Sequence, residues 1–204
     1  TMKNSVYDTI PGIETWGIER DARTYKGPYP VVAHPPCARW GRYWSGGPST
    51  PYRRLKGDDD GCFAAALWAV RTFGGILEHP ADSWAYKWFG LATPPRSGGW
   101  ISADRFGYTC CIEQLRYGHR AQKATWLYAV GCDLPDLKWG RSPIGTGIRM
   151  DDGLSKENRQ RMIKTGRCQQ ISKRERARTP MEFTLLLIEI ARTANIKAPQ
   201  AREG

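Results

Sequence analysis

Tyr29-Pro30-Val31-Val32-Ala33-His34-Pro35-Pro36-Cys37 is a short apolar, β-branched run stopped by a histidine and two prolines. It reads as a buried strand, because it is too short for a helix and proline cannot extend a hydrogen-bonded ladder. Ile76-Leu77-Glu78-His79-Pro80 repeats the design. Between them, residues 62–73 hold strong helix formers, with Asp58-Asp59-Asp60 ahead of them to suit the helix dipole and Gly74-Gly75 to end them. Strand, helix and strand in that order predict a βαβ unit whose two polar tips share one sheet edge. In open α/β sheets, ligands and chemistry gather at that edge.

Outward from this unit, 108–114 and 124–130 read as further strands, 81–90 as a short helix and 92–107 as a loop rich in glycine and proline. The expected fold is therefore α/β and Rossmann-like, one mainly parallel sheet flanked by helices, with its core in 1–137. Residues 38–57 mix Gly, Pro, Ser and aromatics with five Arg or Lys and read as a long functional loop. Periodicity is lost over 138–178, where a basic loop or arm is expected. Within it, 156–178 hold nine basic residues against two acidic ones, either a phosphate-binding arm or a solvated basic helix. Thr179-Pro180 suits an N-cap and first helical position. A final helix over 181–194 is apolar enough to dock on the sheet, and 179–204 form this helix and a tail.

The chain has 204 residues, 40% of them hydrophobic, which allows one well-packed core. Its net charge of +11 makes a polyanion, nucleic acid first, the expected partner. No apolar run approaches a membrane span and the N-terminus lacks a signal-peptide core, so no membrane partner is expected. Six cysteines without a disulfide framework's spacing suggest reduced thiols in a cytoplasm. Oligomeric state has no signature.

A cysteine held after Pro-Pro at a strand end is placed as a nucleophile needs to be, although a lone cysteine is more often a small buried hydrophobe. Cys37 gains weight from Glu78 on the neighbouring tip and from Tyr117-Gly118-His119-Arg120-Ala121-Gln122-Lys123-Ala124-Thr125 before the last strand.

Together these stretches resemble the cytosine-C5 DNA methyltransferases. That family has a Pro-Cys loop after one strand, a Glu-Asn-Val tip after the next and a Gln/Arg-rich segment before a later one. The resemblance is closer still to phage and prophage proteins sharing His-Pro-Pro-Cys, Glu-His-Pro and Gly-His-Arg-Ala-Gln-Lys-Ala-Thr-Trp-Leu-Tyr. It implies pyrimidine modification in DNA: Cys37 adds to C6, Glu78 assists at N3, and the resulting enamine takes a group at C5. Arg120 or Lys123 would contact the base O2 or a phosphate and lower the thiol pKa. His34, Arg39, Trp40, Arg42, His79, His119, Gln122, Arg174 and Arg176 would bind the nucleic acid, presented single-stranded or with a flipped base.

The sequence departs from that family where the cofactor is concerned. S-adenosylmethionine would need an Asp-x-Phe-x-Gly-x-Gly loop, and nothing upstream of residue 30 supplies one. Glu19 is the residue there that could hold a ribose, so the cofactor half is expected to be truncated and the cofactor stays unassigned. His79 replaces the family's Asn, and Gln-x-Arg-x-Arg survives only as His119-Arg120-Ala121-Gln122-Lys123.

Three alternatives remain open from the residues. The chain could be a non-catalytic DNA-binding relative. His34, Cys37 and His79 could hold a metal, with His34-x-x-Cys37 at ligand-like spacing. Asp58, Asp59 and Asp60, with His34 and His79, could form a metal-dependent nuclease site, although acidic residues at a helix start more often cap it.

Overall fold

A computed structural model of the chain describes residues 5–46, 54–149 and 154–195. Strand β1 (Val31–Ala33), helix α1 (Cys62–Phe73) and strand β2 (Gly75–Pro80) form the expected crossover, with β1 and β2 parallel. Gly75 makes the close approach: at φ +119° its backbone lies where an added Cβ would sit 2.0 Å from the Val31 carbonyl oxygen.

After β2 come the short helix α2 (Trp84–Trp88) and strands β3 (Ile101–Ser102), β4 (Tyr108–Glu113) and β5 (Ala124–Val130). They complete a five-stranded sheet in the order β1-β2-β5-β4-β3. The fold is mixed α/β, but the expectation of a mainly parallel sheet is corrected. Within this sheet only β1 and β2 pair in parallel, and β2–β5, β5–β4 and β4–β3 are all antiparallel. The physical reason is the short connection between β4 and β5, residues 114–123, which returns the chain directly beside the strand it left.

This topology decides where the site lies. Because β5 runs against both β2 and β4, the C-terminal ends of β1, β2 and β4 and the start of β5 share one edge, with Pro80 opposite Thr125. The His34–Cys37 loop, the Glu78 tip and the 114–123 connection all meet there.

Apolar alternation buries both faces of the sheet. Leu77, Cys111, Trp126 and Tyr128 pack with Phe63, Leu67 and Val70 of α1 and with Ala85 and Tyr86 of α2. On the opposite face, Ile76, Cys110, Leu127 and Ala129 pack with Phe183, Leu187 and Ile190 of the last helix, α5.

The basic segment is more structured than a loop or mobile arm. It contains strand β6 (Gly147–Ile148), helix α3 (Lys156–Lys164), strand β7 (Gln169–Gln170) and helix α4 (Lys173–Ala177), with β6 and β7 parallel. Ile148, Met162 and Cys168 give it a small core of its own. Its α3 helix lacks a wide apolar stripe, which is why periodicity failed to reveal it.

The terminal helix α5 spans Met181–Arg192. Its N-cap is Pro180, without a side-chain cap bond, so Thr179 does not have the capping role expected of it. The tail residues 196–204 lie outside the described residues.

At the start of α1, Asp59 is buried and its Oδ2 accepts hydrogen bonds from the Phe63 backbone N–H at 2.9 Å and the Trp40 indole N–H at 2.7 Å. Asp59→Ala is expected to lower the unfolding free energy by about 1 to 3 kcal/mol, since it strands a buried indole donor and uncaps the helix. Urea titration checks this, and an unchanged midpoint would refute it.

Candidate active site

Successive residues of a strand face opposite sides. With Val32 opposite Ile76, the pleat brings His34 to the same face as Glu78 and turns His79 away. A chain of hydrogen bonds results. The Tyr7 hydroxyl lies 2.7 Å from His34 Nε2, and His34 Nδ1 lies 2.8 Å from Glu78 Oε2. Gln114 Nε2 donates to Glu78 Oε1 at 3.0 Å and to Thr125 Oγ1 at 2.8 Å. An ionised carboxylate only accepts, so His34 Nδ1 donates to Glu78.

Electrostatics follows from this geometry. Burial works against the Glu78 charge, but the His34 hydrogen bond and field, with Lys123 behind them, hold its carboxyl down at about 2. Burial and the Glu78 charge push the Tyr7 hydroxyl well above the usual tyrosine range. Burial lowers the Lys123 ammonium, against the pull of Glu78 and Cys37. Cys37 is exposed as a residue, yet the protein crowding its thiol, together with Glu78, pushes its pKa up; Lys123 and Arg149 pull the other way without winning. Lys123 does act to lower the thiol pKa as the resemblance implies, but the loss of water and the nearby carboxylate outweigh it, so the net direction is upward.

His34, Cys37, Glu78 and Lys123 line one cleft of about 2950 Å³. Arg42, Arg141, Arg149, Arg174, Arg176 and Arg178 line it too, from the main body and from the β6–α4 segment. Gln122 also lines it, although its Nε2 is spent on the Ser142 and Pro143 carbonyls at 2.6 and 3.2 Å.

Several expected site residues lie elsewhere. Trp40 is 2% exposed and packs against Phe63, Trp88 and Phe89, so it belongs to the core and not to base stacking. Arg39 is not among the cleft residues, and its Nη1 is sealed from solvent. Arg120 turns away to Glu175 Oε1 at 2.7 Å and Gln169 Oε1 at 2.9 Å, holding the basic segment to the main body. His119 is buried, with Nδ1 tied to the Ala121 backbone and its pKa lowered by burial. His79 packs edge-on against Phe63, and burial pushes it down to about 4, which leaves it neutral.

The metal and nuclease alternatives meet the same geometry. Among the described residues no three His, Cys, Asp or Glu side chains converge as ligands. His34 and His79 face opposite sides of the sheet, and Asp59 is committed to Trp40 and Phe63.

The residues present also do not fit S-adenosylmethionine. The described chain before β1 makes only two single 3-10 turns, Val6–Thr9 and Ala22–Thr24, with no strand to carry a Gly-rich loop. Glu19 lies on an exposed turn outside the cleft lining.

Tyr7, Gln114 and Arg149 escaped sequence reasoning. Tyr7 and Gln114 reach the site from segments with no motif of their own, and Arg149 is one of many arginines in a basic stretch. The strand tip ending in Glu113-Gln114, beside the Glu78 tip, was the one available signal for Gln114. No described helix is long and apolar enough to cross a membrane. Comparison with protein-family models, with curated proteins and with solved structures finds no match to this chain.

Proposed function

We propose that this chain modifies a pyrimidine base of DNA, with Cys37 adding to C6 so that C5 becomes nucleophilic and can take a transferred group. The observation that carries this reading is the convergence of Cys37, Glu78 and Lys123 in one arginine-lined cleft. A cleft of about 2950 Å³ far exceeds the roughly 300 to 1,000 Å³ of small-molecule sites, which favours a polymer over a free nucleotide. The β1–α1–β2 unit, with its reactive loop at the C-terminal edge, is the part of a Rossmann-like fold that such chemistry needs. All six cysteines are free, which supports a reducing compartment, the cytoplasm of the host cell if the gene is phage-borne as the resemblance implies.

Within this reading, Glu78 acts as a hydrogen-bond acceptor and not as an acid. Its carboxyl stays ionised and already accepts from His34 and Gln114, so it takes a hydrogen from the base edge, such as the cytosine N4 amino group. Lys123 favours the thiolate as addition begins.

Thiolate addition needs no group donor to be detected, because adduct formation, protonation at C5 and reversal exchange the C5 hydrogen with solvent. A single-stranded cytosine-containing oligonucleotide incubated with the protein in heavy water is expected to gain deuterium at C5, read by mass spectrometry. Cys37→Ser is expected to abolish the exchange.

A second reading, a non-catalytic DNA-binding relative, is favoured by one observation: the resting thiol is held protonated. Absent exchange with gel-shift binding intact in both proteins would establish that reading and overturn the first.

A further inference from the structure

Lys123 lies in the cleft beside Glu78 and Cys37. Its neighbour Glu78 has one oxygen on His34 and the other on Gln114, so neither is given over to neutralising it. Among the described residues the Lys123 amine has no hydrogen bond and no ion pair, and it is not sealed from solvent. It therefore faces the cleft beside Cys37, with Arg149 as a neighbouring cation.

We infer that Lys123 is an amine nucleophile that captures an aldehyde as an imine, and that the aldehyde is the ring-opened sugar of an abasic site in nucleic acid. A lysine without a hydrogen-bond partner in largely desolvated surroundings is a setting in which protein amines form Schiff bases, and here burial prevails over the opposing pull of Glu78. Burial lowers the Lys123 ammonium below its ordinary value, which enlarges the neutral, reactive fraction. The polymer-sized, arginine-lined cleft selects an aldehyde carried on a phosphate backbone, and abasic deoxyribose is the aldehyde that DNA itself bears.

The step balances without an oxidant. The Lys123 nitrogen lone pair adds to the sugar C1′ carbonyl carbon, a proton moves from nitrogen to the new oxygen, and water leaves to give a C=N bond. Cyanoborohydride then delivers hydride to that carbon and fixes the link as a secondary amine.

This inference rests on the nucleic-acid reading of the cleft but not on the Cys37 reaction. The two have separate readouts, reductive trapping for Lys123 and C5 hydrogen exchange for Cys37, so either can fail alone.

The test incubates the full chain with cyanoborohydride and, in separate arms, an oligonucleotide carrying one abasic site or free 2-deoxyribose 5-phosphate. A covalent product that maps by peptide mass spectrometry to Lys123, and is lost in Lys123→Arg while Lys87→Arg retains it, supports the inference. The arm that yields it identifies the source, polymer or small sugar phosphate. No product in either arm, or a product mapped to other lysines, overturns it. Mapping on the wild-type chain keeps the test decisive if Lys123→Arg fails to fold.

Discussion

His34→Ala is expected to destabilise the fold by about 2 to 3 kcal/mol, the cost of leaving a largely buried carboxylate without one of its hydrogen-bond donors. The Glu78 side chain is 10% exposed and His34 is its first hydrogen-bond partner at 2.8 Å. Without the imidazole, Gln114 alone remains directly bonded to a carboxylate that water reaches poorly. The acid limb of the stability curve carries the same information. The folded Glu78 carboxyl is held at about 2, below its ordinary 4.5, so its contribution is complete above the ordinary value and is lost as pH falls towards 2. That displacement corresponds to about 3 kcal/mol. Glu78→Gln, which removes the titrating group, is expected to flatten the acid limb. His34→Ala is expected to flatten it as well, because without the group that depressed the carboxyl the folded pKa moves back towards the unfolded one and less stability is lost as pH falls from 4.5 towards 2. Urea unfolding across the acidic range reads both, and a His34→Ala protein with wild-type midpoints and an unchanged acid limb would show that the pair contributes nothing.

The same pair marks what could be read from sequence and what could not. The β1–α1–β2 unit and the two later strands were legible because each is a compact apolar run with its own stop signal: Pro35-Pro36, Pro80, Gly74-Gly75 and Gly131. Strand direction was misjudged. A βαβ start invites a parallel sheet, but the ten residues 114–123 between β4 and β5 are too few for a parallel crossover and return the chain antiparallel. Residue type alone also placed His79 beside Glu78 in function, whereas the pleat puts them on opposite faces and buries His79 against Phe63. Trp40 failed likewise. An aromatic flanked by Arg39 and Arg42 suits base stacking, yet Asp59 waits 2.7 Å from its indole nitrogen and draws it into the core. Cys37, Glu78 and Lys123 did come together, because all three lie within a few residues of strand ends at one edge.

Alkylation of Cys37 by iodoacetamide at neutral pH is expected to be slower than that of an unhindered cysteine, and to rise with pH beyond the ordinary thiol range. Only the thiolate reacts, and loss of water and the Glu78 charge both hold the proton on sulfur. The two charged neighbours act with opposite sign, which makes the substitutions diagnostic. Glu78→Gln removes the charge that, after burial, raises the thiol pKa and is expected to speed alkylation at neutral pH. Lys123→Gln removes a cation that lowers it and is expected to slow the reaction. Cys37 is the one exposed cysteine of the six, so peptide mapping assigns the product without ambiguity. Slower alkylation in Glu78→Gln, or wild-type alkylation faster than that of a free cysteine, would reverse the electrostatics argued for the cleft. A protonated resting thiol places the demand for activation on the substrate. On the proposed pyrimidine reading, a base edge that donates a hydrogen to Glu78 would spread its negative charge, weaken the field on Cys37 and so favour the thiolate with the base in place.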